Sequence, residues 1–449
     1  MTTLIRGNAL ALPLADNSVD LIVTSPPYFG LRSYTDAGEH YDGQIGSEAT
    51  PGEFLDALIA ATAEMVRVLK PSGSIFVNLG DKYANDSKWG GSTGGKHVPG
   101  LRGSAGPGRG KRSTGMPAKS LMGLPWRYAI RCIGNGTALN DPDVVRLLLR
   151  DVALEVISLA EAERIVDDLH ATPDPGLGLI LRSEIIWSKP NGLPESVTDR
   201  VRRSHEQWFH FTKQPRYFAA VDHIREQHAP GTHQRRIDGQ PTPKQAAGVE
   251  NGTRRGYMAE TYTNPLGKLP GSVWSVPTQP LTVPADLGVD HFAAFPMEWP
   301  RRIIRGWSPT GICTVCGEGR RPVASIQRIH GTARRAGSAA GRGGPDDNHR
   351  GMNAPGDTRP TSLATITGYA CACPEPTAPT RPAVVLDPFG GTGTTAIVAN
   401  ALGRHGISVD MSADYLRLAR WRANDPRERA KAAGVDAPPP APTDMDGLW

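Results

Sequence analysis

Apolar and polar residues alternate in blocks near the start of the chain. The apolar, β-branched run at 20–24 predicts a buried strand. Apolar residues then recur at helical spacing between 52 and 69, and a Pro-Ser-Gly turn at 71–73 ends this helix before a second strand at 74–78. Strand, helix and strand in this order are typical of an α/β sheet, so the sequence predicts an α/β fold.

The same pattern recurs near the other end of the chain. Residues 382–398 read as an apolar strand, an acidic residue, a glycine-rich turn and a helix, and a second strand ends at Asp410. In the middle of the chain, 181–192 and 204–213 predict two further strands. Residues 140–169 carry two helix-start signals, which predict an all-helical insertion.

Composition limits the class of protein. Glycine and proline number 51 and 40 of 449 residues, so long irregular segments are expected. The start of the chain lacks the features of a signal peptide, and no segment approaches the ~18 apolar residues that span a bilayer. We therefore expect a cytoplasmic protein with no membrane partner. The net charge of +5 is compatible with a nucleic-acid partner but does not require one.

Two long segments are too polar to belong to a core. Residues 86–119 contain seven Lys or Arg, one acidic residue and ten glycines, which is compatible with either a plain surface loop or a loop that contacts DNA. Residues 223–272 are rich in Gly, Pro, Arg and His and show little periodicity. We expect this second segment to be loop or recognition surface.

A rigid motif, TSPPY, follows the first strand at 24–28. Proline fixes φ and lacks a backbone donor, so Pro26 and Pro27 cannot continue the sheet. They would hold Ser25 and Tyr28 in one geometry, which suits a site. The alternative is a turn that simply ends the strand.

A second motif, DPFGGTGTT, lies at 387–395 between a strand and a helix. Glycines there let the backbone approach a ligand closely, and the helix N-terminus offers free N–H groups. Asp410 ends the next strand, where a ribose diol needs an acceptor, although a plain helix N-cap is the alternative. The motif lacks the Lys of a phosphate-binding P-loop.

Together, the motifs at 24–28 and 387–395 resemble the catalytic and cofactor motifs of S-adenosylmethionine-dependent DNA amino-methyltransferases, which modify exocyclic amines of adenine or cytosine. Their order resembles the β arrangement of that family. The amphipathic segment 295–311 is similar to the family's segment beside the methionine end of the cofactor, and 182–213 resembles its middle strands. The resemblance implies a Rossmann-like methyltransferase fold with a mostly parallel, seven-stranded sheet.

The resemblance also implies which residues are catalytic: Ser25, Pro26, Pro27 and Tyr28. The Ser25 hydroxyl and the Pro26 carbonyl would accept the N–H groups of the target amine, which localises the nitrogen lone pair toward the methyl donor. Tyr28 would stack on a base flipped out of the duplex.

A further set of residues is implied to bind S-adenosylmethionine, namely Asp387, Pro388, Phe389, Gly390, Gly391, Gly393, Thr394, Asp410, Phe295, Pro296 and Asn8. Simple packing is the alternative for Phe295 and Pro296. Family members often have Gly-Asp where this chain has Gly7-Asn8, so a carboxylate contact to the cofactor is replaced by an amide.

Four of the five cysteines form two close pairs. Cys313 and Cys316, followed by glycine, resemble a zinc knuckle, and Cys371 and Cys373 would complete a tetrahedral structural Zn²⁺ site. The alternative is four unrelated buried thiols. Cys132 is expected to be an ordinary core thiol.

These patterns divide the chain into nine segments. They are the catalytic half of the methyltransferase domain (1–85), a basic Gly-rich loop (86–119), a helical insertion (134–178), central strands (179–222), a candidate target-recognition region (223–272), a cofactor-flanking segment (273–311), a zinc-binding insertion (312–376), a cofactor-binding half (377–425) and a disordered tail (426–449).

The function that the resemblance implies is site-specific methylation of double-stranded DNA, with a cognate restriction enzyme as a candidate partner. The residue before the two prolines is more often Ser in cytosine-N4 enzymes and usually Asp in adenine-N6 enzymes, so Ser25 favours cytosine over adenine. Two rivals are an enzyme that methylates an amide nitrogen of protein or RNA, and a DNA-binding zinc protein with an inactive methyltransferase domain.

Overall fold

The structure is a computed structural model that describes residues 1–30, 35–36, 39–40, 43–84, 116–134, 150, 152–154, 156–171, 176–192, 194–195, 197–227, 264, 266–284, 287, 294–329, 361–375 and 377–436. These residues belong to two compact units. The first unit comprises Met1–Ala220, Gly271–Arg320 and Thr377–Trp449, and the second comprises Val221–Pro270 and Arg321–Pro376. Most of the predicted basic loop, the first predicted helix of the insertion and most of the predicted recognition region lie outside the described residues.

The strands, numbered along the chain, are β1 (Thr2–Arg6), β2 (Val19–Thr24), β3 (Thr35–Asp36), β4 (Glu39–His40), β5 (Leu69–Leu79), β6 (Ile180–Ser188), β7 (His205–Thr212), β8 (Val273–Ser275), β9 (Ile312–Cys313), β10 (Arg321–Ile329), β11 (Thr361–Ala370), β12 (Thr380–Arg381), β13 (Val384–Asp387) and β14 (His405–Asp410). The helices are α1 (Pro51–Val68), α2 (Leu124–Ile133), α3 (Leu159–Ala171), α4 (Glu298–Trp307), α5 (Thr394–Ala401), α6 (Ala413–Asn424) and α7 (Pro426–Ala433).

Eight strands of the first unit form one sheet in the order β1-β14-β13-β2-β5-β7-β6-β8. Every neighbouring pair is parallel except the two pairs that involve β7, which runs against β5 and β6. The predicted α/β fold with a mostly parallel sheet is therefore confirmed. The sheet has eight strands where the resemblance implied seven, and one edge is the three-residue strand β8.

Helices cover both faces of the sheet, which explains why β2 is buried along its whole length. Ile22 packs in a core cluster with α1 and α2, while its neighbours Leu21 and Val23 pack in a second cluster with α4 and α5. Because successive side chains of a strand point to opposite faces of the sheet, β2 contributes residues to both core clusters.

Helix α1 begins where the sequence places a capping box. Thr50 Oγ1 accepts the Glu53 N–H at 3.2 Å, and the Glu53 carboxylate accepts the Thr50 N–H at 3.0 Å. Among the helices that the structure describes, none combines the length and the apolar character that crossing a bilayer requires.

The expectation of a disordered tail at 426–449 is wrong for its first part, because α7 begins at Pro426. The Asp425 carboxylate caps this helix by accepting the Glu428 N–H at 2.9 Å. Ala432 and Glu428 are buried although the helix is rich in charged residues. Residues after 436 lie outside the described part.

The second unit contains a two-stranded antiparallel sheet of β10 and β11. A register shift lies between Val323 and Ala324. Both strands lie within the segment 312–376 that was predicted to bind zinc, and a zinc ribbon there stays a prediction.

Candidate active site

A cavity of about 450 Å³ opens in the first unit where the parallel strands β2, β13 and β14 end. This volume is typical of small-molecule sites. The cavity brings together both sequence motifs, although they lie more than 350 residues apart. The predicted residues that line it are Asn8, Ser25, Pro26, Pro27, Tyr28, Phe295, Pro388, Phe389, Gly390, Gly391, Thr394 and Asp410.

Three predicted cofactor residues do not line this cavity, namely Asp387, Gly393 and Pro296. Asp387 is buried behind it, where its carboxylate accepts hydrogen bonds from Thr24 Oγ1 at 2.6 Å and Thr395 Oγ1 at 2.9 Å. Burial raises the pKa of this carboxyl to about 6, and the two threonine hydroxyls oppose the shift. Asp387 therefore ties the end of β2 to the start of α5.

The glycine-rich loop follows β13 closely. A Cβ at Gly390 would lie 1.8 Å from Ser408 Oγ, so only glycine lets the loop pass β14 this closely. Gly391 has a φ of +47° and no atom within 4 Å of an added Cβ. Its backbone therefore faces open space in a conformation that glycine favours.

Asp410 holds the loop from the neighbouring strand. Its Oδ2 accepts the Gly391 N–H at 2.8 Å and its Oδ1 accepts the Ser412 N–H at 2.8 Å. The N-cap of α6 is Ser412, whose Oγ accepts the Tyr415 N–H, so the N-cap alternative for Asp410 is wrong.

Residues of two strands hold the TSPPY motif in place. A Cβ at Gly80 would lie 2.6 Å from the Tyr28 ring, so the ring packs directly against the chain after β5. The Tyr28 hydroxyl lies 2.8 Å from Glu206 Oε2 and 2.9 Å from Asn78 Oδ1. The single phenolic proton is best donated to the carboxylate, because hydrogen bonds to ionised acceptors are the stronger ones.

The neighbouring Asn78 also determines in which direction the Ser25 hydroxyl donates its hydrogen bond. Ser25 Oγ lies 3.3 Å from Asn78 Oδ1, which is oriented because Asn78 Nδ2 donates to the Gln207 carbonyl at 3.1 Å. When Ser25 donates its proton to Asn78, its oxygen lone pairs are left to accept a hydrogen bond.

Sequence reasoning missed several polar residues of the cavity wall, among them Asn78, Lys189 and Glu206. Lys189 donates to the Glu206 carboxylate, and its ammonium lies 4.2 Å from the centroid of the Trp187 ring. The only signal was position, since Lys189 lies near the end of one predicted strand segment, 181–192, and Glu206 lies near the start of the next.

The sequence profile of one protein family, described as DNA methylase, matches residues 19–313 and 380–420. This chain belongs to the DNA methylase family. The match covers both motifs and the strands that carry them, and transfer of a methyl group from S-adenosylmethionine to DNA is the activity of such a methylase.

Type II methyltransferases of restriction-modification systems are among the similar proteins. M.XycI of Xanthomonas campestris pv. cyanopsidis is 32% identical over 314 residues, which cover 69% of this methylase and 74% of that protein. M.SmaI of Serratia marcescens is 25% identical over 403 residues, which cover 90% and 83% of the two chains. The solved PvuII DNA methyltransferase, described as cytosine-N4-specific, aligns with a TM-score of 0.43 at 15% identity over 97% of this chain and 96% of that one.

Phe295 of the methylase both lines the cavity and packs behind it. Its ring meets Trp208 edge to face at 5.6 Å, and Trp208 stacks on Trp299 at 4.9 Å. Phe295 therefore packs in the core, as the alternative expects, and also lines the cavity. An Asx turn holds Asn8, whose Oδ1 accepts the Leu10 N–H at 2.9 Å.

The cysteines of the methylase lie in both units. The Gly317 N–H donates to the Cys313 carbonyl at 3.0 Å, and Gly317 has a φ of +75°, so the Cys313–Cys316 segment forms a tight turn in the first unit. Cys371 and Cys373 follow β11 in the second unit. Cys132 is buried in the core beside Tyr128, and burial raises the pKa of its thiol to about 12.

Proposed function

We propose that this methylase transfers the methyl group to N4 of cytosine in double-stranded DNA. The observation that carries the proposal is the neutral Ser25 hydroxyl at the cavity, whose hydrogen bond is accepted by Asn78 Oδ1 at 3.3 Å. A hydroxyl with its lone pairs free is an acceptor for one N–H of an exocyclic amine. The serine in this position also resembles that of cytosine enzymes in the family.

The cavity fits S-adenosylmethionine, judged from its own residues. Gly391 leaves room beside an acceptor, Asp410, and Phe389 offers an apolar surface in the same wall. Asp410 would hold the ribose, while Phe295 and Asn8 would line the rest of the binding site. When bound, the cofactor supplies a methyl group that is activated by a positively charged sulfur.

The protein's part in the reaction is positioning. An exocyclic amine is a poor nucleophile because its lone pair is delocalised into the ring. Ser25 Oγ and the Pro26 carbonyl would accept its N–H groups and so localise that pair. Tyr28, backed by Gly80, would stack on the flipped base, which is worth about 1–3 kcal/mol.

Glu206 and Lys189 support this geometry from β7 and the end of β6. The carboxylate holds the Tyr28 hydroxyl, and the lysine balances its charge in a wall where both side chains are largely buried. The flipped base would therefore contact a fixed Tyr28 ring, and the opposite charges of Glu206 and Lys189 would cancel.

Further parts of the proposal rest on the sequence. A cytoplasmic location and a cognate restriction enzyme fit the Type II relatives. A structural Zn²⁺ held by Cys313, Cys316, Cys371 and Cys373 fits the spacing of the two pairs and the tight turn at the first pair.

Nucleoside analysis tests the target amine. Purified protein is incubated with unmethylated duplex DNA and S-adenosylmethionine, and the DNA is digested and examined by mass spectrometry. N4-methylcytosine is expected, and it should form much more slowly with Ser25→Ala. N6-methyladenine as the sole product would overturn the choice of cytosine, and unmodified DNA from protein that binds the cofactor would overturn the proposed reaction.

A further inference from the structure

A buried arginine contacts the glycine-rich loop from α6. The Arg422 side chain is nearly inaccessible to solvent, with 3% of the residue exposed. Its Nη1 donates to Thr392 Oγ1 at 2.7 Å, to the Thr392 carbonyl at 3.1 Å and to Thr394 Oγ1 at 2.8 Å. Both threonines line the cavity. The guanidinium therefore lies one side chain away from the candidate cofactor.

The arginine is held in turn by α7, the helix in the segment that was expected to be disordered. Its Nε donates to Glu428 Oε2 at 2.9 Å, and Glu428 is only 4% exposed. Burial lowers the pKa of the Arg422 guanidinium, and the carboxylate opposes this shift. Lys431 donates to the other oxygen of Glu428, so this one carboxylate is shared by two cations.

The loop needs such support because it is rich in glycine. Gly391 and Gly393 both have positive φ, and glycine loses more conformational freedom on ordering than other residues. A loop that is ordered before the ligand arrives binds it more tightly than one that must be ordered on binding. The two N–H groups of Nη1, shared among these three acceptors on a rigid, planar group, restrict Thr392 between the two glycines and Thr394 directly after them.

We infer that Arg422 is a positioning residue of the cofactor loop and that α7, through Glu428, belongs functionally to the cofactor site. The inference rests on the proposed function of the cavity as the S-adenosylmethionine site. It extends that site to α6 and α7, although neither Arg422 nor Glu428 lines the cavity.

Cofactor affinity separates this role from plain stabilisation of the α6–α7 pair. We expect Arg422→Met to weaken the binding of S-adenosylmethionine on the order of tenfold to a hundredfold, since small misplacements of a site have effects of this size. At saturating cofactor, kcat should fall no more than about threefold. Arg422→Lys keeps the charge but loses the planar geometry and should rescue only part of the affinity. Arg420→Met, an exposed position on the same helix, is the matched control.

Thr392→Val provides a second test that leaves the buried ion pair intact. It removes the hydroxyl acceptor of Arg422, so its effect on cofactor affinity should be strongly non-additive with that of Arg422→Met. Affinities are measured by calorimetry and melting temperatures by circular dichroism, both on the full chain without DNA.

The outcomes are distinct. A loss of affinity in Thr392→Val that adds nothing to the loss in Arg422→Lys, at unchanged melting temperatures, supports the inference even when Arg422→Met does not fold. Variants that melt earlier but bind the cofactor like the wild type overturn it and leave the proposed function standing. Wild-type protein that binds no S-adenosylmethionine overturns the proposed function itself.

Discussion

The hydrogen bond between Tyr28 and Glu206 gives a prediction that can be worked out from the structure. Glu206→Gln keeps the size of the side chain and removes its charge, so the 2.8 Å bond from the Tyr28 hydroxyl loses its ionic acceptor. The largely buried ammonium of Lys189 then loses its counter-charge. We expect the Tyr28 ring to be held less firmly and methyl transfer to slow, while cofactor binding stays unchanged.

The magnitude follows from the strength of the bond and from its competitor. A hydrogen bond to a charged group contributes about 1.5–3 kcal/mol. Asn78 Oδ1 lies 2.9 Å from the Tyr28 hydroxyl and can accept its hydrogen bond when the carboxylate is gone, which recovers part of this energy. A coupling of about 1–2 kcal/mol between Tyr28 and Glu206 remains, which corresponds to about 5–30-fold in the rate constant.

A double-mutant cycle measures this coupling. Tyr28→Phe, Glu206→Gln and the double variant are compared in single-turnover methylation of duplex DNA at saturating cofactor. Glu195→Gln, which removes a carboxylate paired with Arg200 away from the cavity lining, is the matched control. Single-variant losses that simply add, with a coupling below about 0.3 kcal/mol, would refute the positioning role of Glu206.

Three further predictions concern catalysis, stability and metal. Ser25→Ala and Tyr28→Ala should each lower turnover about 10- to 100-fold without weakening S-adenosylmethionine binding, and full activity of Tyr28→Ala in a radiolabel assay would contradict base stacking. Asp387 binds a proton more tightly in the folded state, where its pKa is about 6, so its contribution to stability decreases as pH rises from about 4 to 6. The free energy of unfolding, measured with urea across this range, should depend less on pH in Asp387→Asn than in the wild type. The same slope in both proteins would disprove the raised pKa. Elemental analysis should find one zinc per chain in the wild type and in Cys132→Ala but not in Cys313→Ser, and a chelator should lower the melting temperature; metal-free protein of full stability would rule the site out.

Both motifs could be recognised from sequence because each carries its constraints locally. Two prolines after a buried strand, and glycines between a strand and a helix, restrict the backbone whatever the rest of the chain does. The lining of the cavity by Ser25, Tyr28, Gly391 and Asp410 agrees with that interpretation.

Residues that depend on strand pairing could not be found in this way. Glu206 reaches the cavity because β7 pairs with β6 in a register that places it opposite Trp187. Nothing within either strand fixes that register before the partner is known. Asp387 is a different case, since its place in the motif predicts a cofactor contact, which stays a prediction, while strand pairing brings its carboxylate to Thr24 and makes it a link between β2 and α5.

Helix α7 was missed for a different reason. Its sequence is highly charged, which is typical of segments that do not fold. Its Glu428 is nevertheless buried against Arg422, a partner on the preceding helix that composition cannot reveal.

The strand order has a consequence for synthesis of the protein. Among the described strands, β1 pairs only with β14, and β13 lies between β14 and β2. At about 5–20 residues per second, a ribosome needs roughly 20 to 80 seconds to add the 400 residues that separate β1 from its partner. During that time the apolar strand β2 lacks its neighbour on one side and is open to pairing with other chains. Slower translation late in the message would lengthen this exposed period, so the yield of folded enzyme should depend on the speed at which its last quarter is made.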